Sequence, residues 1–74
     1  MMQIKYTRHA RRRMRWRKIS ELEVEQTLKN PDKIDFQQEG RKNAFKRLGL
    51  RYIRVTYCEQ GNSQVIISVV DKLD

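Results

Sequence analysis

His9 is the only histidine in this 74-residue sequence, and Arg13 follows it at the spacing of one helical turn. An imidazole changes charge near neutral pH, so it can take or give a proton during a reaction. A guanidinium fork holds two phosphate oxygens and stays charged. Cutting a phosphodiester beside a 2′-hydroxyl without a metal needs a base for the hydroxyl proton, cations for the charge that builds on phosphorus, and an acid for the departing oxygen. His9 and Arg13 could meet the first two needs. A phenol could meet the third: Tyr57, the candidate for the catalytic set, or Tyr52 could serve as that acid or as a stacking platform. Arg8, Arg11, Arg12, Arg15, Arg17, Arg41, Arg47 and Arg54 are the candidates for further phosphate contacts. This chemistry calls for no cofactor. Cys58 is the only cysteine, so no internal disulfide can form, no metal cluster is expected, and a reducing cytoplasm suits the chain.

Each of these residues also has a plainer reading. His9 near a helix start could be a partly buried ring hydrogen-bonded to a neighbour. Arg13 and Arg17 could pair with Glu21, Glu23 or Glu25 and staple two helices together. Trp16 and the tyrosines are commonly packing residues, and Cys58 in a strand fits as a small apolar filler. Arg8, Arg11, Arg12 and Arg15 are harder to dismiss as a solvated face. Like charges this close repel by a few tenths of a kcal/mol per pair, roughly, and binding a polyanion would relieve them.

The charge distribution sharpens that point. Residues 1–18 contain eight Lys/Arg and no acid, while the rest contains nine Lys/Arg and nine Asp/Glu. The net charge of +8 is therefore local to the start of the chain. A pI near 10.2 points to nucleic acid or an anionic surface as partner. The longest apolar stretch, 65–70, is broken by Ser68 and too short to span a bilayer. No apolar signal segment precedes the arginines, so a membrane is not an expected partner.

The elements that must position these residues follow from the pattern. At 74 residues the chain reads as one domain with a thin core. Residues 2–6 form a short extended lead-in with Ile4 and Tyr6 in alternation. Thr7 is an N-cap for a helix from Arg8 to about Trp16, with Ala10 and Met14 facing a core. His9, Arg13 and Trp16 fall on its shoulder. Ser20 and Glu23 form a capping box, with Ile19 and Val24 as a hydrophobic staple, for a second helix that stops at Asn30-Pro31. Beyond Pro31 the period becomes two. Strands are expected at 33–37, 43–48, 51–59 and 64–70, divided by Gly40, Gly49 and Gly61. The faces of 43–48 stay open, because Phe45 and Leu48 fall on opposite sides. The expected fold is α+β: two N-terminal helices packed on one face of a three- to four-stranded antiparallel sheet. An outer strand such as 33–37 or 64–70 could pair with a second copy and give a homodimer.

The spacing His9-Ala10-x-x-Arg13-Met14-x-x-Arg17-x-Ile19-Ser20 resembles the opening motif of a small bacterial family catalogued as domain of unknown function 4258. Gly40-Arg41, Phe45–Gly49 and the two C-terminal strands fit the rest of that pattern, so the resemblance spans nearly the whole chain. The family is similar in layout to the RelE and BrnT toxins of toxin–antitoxin pairs. That resemblance implies a RelE/BrnT-like α+β fold, a metal-independent endoribonuclease acting on mRNA, and an acidic antitoxin as partner. The chain departs from those toxins at its end. They often keep basic or aromatic catalytic residues there, and this sequence reads Val70-Asp71-Lys72-Leu73-Asp74. A non-catalytic module that binds RNA, DNA or an antitoxin-like protein is the alternative.

Overall fold

Thr7 opens the first helix as its side chain allows. Its Oγ1 accepts from the Ala10 backbone N–H at 3.1 Å and donates to the Ile66 carbonyl at 2.9 Å. The same residue thus caps a helix and ties it to the last strand. The computed structural model of the chain describes residues 3–73; Met2 of the expected lead-in and Asp74 of the tail lie outside them. The elements run β1 (Gln3–Tyr6), α1 (Arg8–Arg17), α2 (Glu21–Lys29), β2 (Lys33–Phe36), a short 3-10 turn (Gln38–Gly40), β3 (Arg41–Leu48), β4 (Arg51–Gln60) and β5 (Ser63–Leu73).

The two helices meet at a tight corner. Lys18 adopts a left-handed conformation, φ 56°, and the Ile19 N–H donates to the Met14 carbonyl at 2.8 Å. Those carbonyls would otherwise have no partner. Ser20 then caps α2: its Oγ accepts from the Glu23 N–H at 3.1 Å, and Glu23 Oε1 accepts from the Ser20 N–H at 2.8 Å. Ile19 and Val24, the expected staple, are both buried. Leu22, by contrast, is exposed.

The sheet corrects the expected architecture. It has five strands in the order β1-β5-β4-β3-β2, and β1 runs parallel to β5 while the other pairs are antiparallel. A three- to four-stranded antiparallel sheet is therefore not what forms. The lead-in is a true strand: Gln3 to Tyr6 pair with Ser63 to Ile66, and the Thr7 N–H donates to the Ile66 carbonyl at 3.1 Å. Four residues show too little alternation to reveal a strand, and the parallel partner lies about sixty positions downstream. The remaining strands are reached by short turns. Leu48 pairs with Arg51 and Gln60 with Ser63, which leaves the two-residue loops Gly49-Leu50 and Gly61-Asn62. Their glycines take φ of 65° and 58°, values that suit a twisted hairpin and strain any other residue.

Both helices cover one face. Ala10, Met14, Ile19 and Val24 pack with Ala44, Ile53, Val55, Tyr57, Ile66 and Val69 in one core. Alpha1 lies over β5, and α2 over β3 and β4. Burying a side chain such as Ile53 or Val55 contributes about 1.5–3 kcal/mol, so this face holds the fold together. Register also settles the ambiguous third strand. Ala44 stands opposite Val55 in the core, so Phe45 and Arg47 turn to the other face with Arg54 and Tyr52.

Lys18→Gly should stabilise the protein by about 0.5–1 kcal/mol, because glycine takes the left-handed conformation without the penalty a side chain incurs. Urea unfolding followed by circular dichroism checks this; an unchanged or lower midpoint contradicts it.

Candidate nucleic-acid interface

The arginines of α1 divide into two groups by what they touch. Arg17 lies nearest the core line of the helix, and its Nη1 pairs with Asp71 Oδ1 of β5 at 3.1 Å. Arg51 of β4 approaches the same carboxylate, Nε to Oδ2 at 3.8 Å, and reaches Glu23 of α2 at 3.3 Å. The Arg51 guanidinium also donates to the carbonyls of Arg17 and Lys18, closing the corner between the helices. On the opposite flank Arg11 pairs with Glu21 at 3.0 Å and covers the Tyr6 ring at 4.7 Å. Stapling between the helices does occur, but through Arg11 and Arg51, not through Arg13. The partner of Arg17 is Asp71, 54 residues along the same chain and with no local sequence signal for that role.

Arg8, Arg12 and Arg15 form the second group. They occupy the outer face of α1, are exposed, and have no carboxylate partner among the described residues. Arg13 sits over the Trp16 ring at 5.5 Å, and Arg17 covers the same ring at 5.4 Å. Trp16 thus has two cations close to its ring while 68% exposed. His9 is exposed as well, one turn before Arg13 on the same shoulder. It is not the partly buried ring that the plainer reading supposed.

Tyr57 is placed differently. It belongs to the core at 5% exposure. Burial pushes its phenol above the ordinary tyrosine value, Glu59 adds to the shift, and Lys42 opposes it. Tyr57 is packed in the core, whereas His9 is exposed on the shoulder of α1. Beside Tyr57, Lys42 pairs with Glu59 at 2.6 Å and lies over the Phe36 ring. The hydrogen bond to Glu59 is the main reason its ammonium holds its proton more tightly than usual.

Arg41, Arg47 and Arg54 stand on the face of the sheet away from the helices. The β3–β4 register aligns Arg41 with Cys58, Phe45 with Arg54 and Arg47 with Tyr52. The candidate phosphate contacts are therefore not one patch but two, on opposite sides of the molecule. A shallow cavity of about 280 Å³ lies near the turn between β2 and β3, lined by Gln37, Gln38, Glu39 and Arg41. That is the far edge of the sheet from α1's strand, β5. Among the described residues no group of three or more His, Cys, Asp or Glu side chains could hold a metal ion, and no helix is long and apolar enough to cross a membrane.

Fold and surface together define a small α+β protein with a cationic helix on one side of a mixed sheet and a second basic face on the other. The chain belongs to the family described as Domain of unknown function (DUF4258), which matches residues 6–71. No curated protein and no solved structure matches the chain, so the comparisons do not show the expected likeness to RelE and BrnT toxins.

Tyr6 gives this side of the molecule a pH signature. Its buried hydroxyl has no hydrogen-bond partner among the described residues, and its pKa is pushed from 10.0 to about 12, first by burial and then by Glu21 and Glu25, with Arg11 opposing. A phenol held protonated by the fold contributes stability that is intact below pH 10.0 and lost as pH climbs through about 12. The urea midpoint should fall across that window, and Tyr6→Phe should lessen the fall. At neutral pH the same substitution should cost little, since it removes an unpaired buried hydroxyl. An alkaline fall identical in both proteins would contradict this.

Proposed function

We propose that the protein associates with nucleic acid, preferably RNA, through the outer face of α1. One observation carries the reading: Arg8, Arg12 and Arg15 lack carboxylate partners among the described residues, whereas Arg11 and Arg17 on the same helix are paired internally. The three side chains span about 10 Å of helix axis at the usual rise. A duplex presents one charge per roughly 1.7 Å of its own axis, so several phosphates lie within their reach. Bound phosphates would relieve the repulsion among the arginines and release counterions. Contacts of this kind position a protein on nucleic acid without reading sequence.

Affinity should fall steeply between about 50 and 200 mM salt, with a log–log slope near −0.9 per phosphate neutralised on duplex. Replacing Arg8, Arg12 and Arg15 together by Gln should weaken binding at low salt by roughly tenfold or more and make the slope shallower by about two to three. Lys29→Gln on α2 serves as the control that changes neither. Fluorescence anisotropy with a labelled oligonucleotide measures both quantities. Wild-type binding that ignores salt contradicts the proposal.

A second reading, metal-independent endoribonuclease of toxin type, keeps one observation in its favour: the His9 ring is accessible and Arg13 stands one turn away. The buried position of Tyr57 speaks against its serving as the acid, so water or Arg13 would have to assist the leaving group. In this reading an acidic antitoxin would cover the same helix and co-purify with the protein. Purified protein should then cut RNA in the presence of a chelator, and His9→Ala should abolish cutting while leaving anisotropy binding intact. RNA that stays whole with the wild-type protein leaves binding as the activity.

A further inference from the structure

We infer that the sheet face opposite the helices is a platform for unpaired bases of a single-stranded nucleic acid, distinct from the α1 surface. No described element crosses this face, because both helices pack on the other. Register places Lys5, Lys33, Arg41, Arg47 and Arg54 on it, against one acid among the described residues, Asp35. Asp35 is itself within 3.7 Å of Lys33, so its charge is already countered. The Arg54 Nε is buried without a hydrogen-bond partner among the described residues, between cross-strand neighbours Phe45 and Val70.

The centre of the face is aromatic. Phe45 and Tyr52 stack with ring centroids 5.7 Å apart and planes 21° from parallel. Lys33 Nζ covers Phe45 at 5.4 Å, and the Arg47 guanidinium covers Tyr52 at 5.5 Å. Each ring of the stacked pair thus has a cation of its own close by, on a face the helices leave open. Long flexible cations on ring faces can swing to phosphates while a base takes their place on the ring, and arginine can also stack on the base. Duplex bases are already stacked inside their helix, so such a platform favours single strands. An acidic peptide would satisfy the cations but would make no use of the rings.

The test separates the two faces. Binding of short oligouridine and of a short duplex is measured by anisotropy for wild type, Phe45→Leu, Tyr52→Leu, and the Arg8/Arg12/Arg15→Gln variant. Each aromatic substitution should weaken oligouridine binding roughly tenfold and leave duplex binding unchanged. The arginine variant should weaken duplex binding. Equal oligouridine affinity in correctly folded aromatic variants overturns the inference, as does an equal loss for both ligands. So does displacement of oligouridine by polyglutamate at matched charge concentration, which marks the face as a plain anion or acidic-peptide surface. Should the leucine variants fail to fold, the unaltered protein decides: photocrosslinking to 5-iodouridine-substituted RNA should label Phe45 or Tyr52. Labelling confined to Trp16 on α1 overturns the inference while leaving the α1 reading in place.

Discussion

Asp71 holds the molecule's most consequential interaction. Its carboxylate, only 14% exposed, meets Arg17 from α1 and Arg51 from β4, and Arg51 continues to Glu23 on α2. Four elements are joined by two acids and two arginines. The network works because charged groups drawn out of water need partners, and here each finds at least one. It also frees the rest of α1 from a packing role. The helix is fixed on the sheet by Ala10, Met14 and the Arg17–Asp71 pair, while the exposed Arg11–Glu21 pair ties it to α2. Its remaining arginines stay turned toward solvent.

The helix is thus an unusual compromise. It buries only two side chains fully or nearly so, Ala10 and Met14. What supplements that small apolar contact is Thr7, whose backbone and side chain both bond to Ile66, and the cation on the Tyr6 ring. The parallel pairing of β1 with β5 is what brings Thr7 and Tyr6 to that position. The strand that sequence pattern shows least well is therefore the one that seats the cationic helix. On the other side of the sheet the same register segregates Phe45, Tyr52, Arg47 and Arg54 from the core, giving a second basic surface of different chemistry.

Local signals in the sequence were enough for some of this. Thr7, Ser20 with Glu23, and Ile19 with Val24 mark both helix starts, because capping depends on neighbours only three or four residues apart. Gly49 and Gly61 mark the hairpins for the same reason. Long-range features were not legible. Nothing near Asp71 announces that Arg17 and Arg51 will share it, and four residues of β1 carry too few alternations to reveal a parallel partner. The two-residue alternation within 51–59 does separate Tyr57, on the face of Ile53 and Val55, from Tyr52 on the other, and the burial pattern agrees. What alternation leaves open is which of those two faces the helices cover. Whether Arg47 and Arg54 share a side with His9 is open in the sequence, and the β3–β4 register turns them to the face away from α1.

The central claim is that the fold consumes some cations internally and leaves others for an external polyanion. Side-chain Nε–Hε signals of the arginines, followed by NMR while a short RNA is added, test it most directly. Signals of Arg8, Arg12 and Arg15 should move until the RNA saturates, while those of Arg17 and Arg51 keep their positions. Movement confined to Arg17 and Arg51, or no movement of the α1 arginines at any RNA concentration, would contradict it.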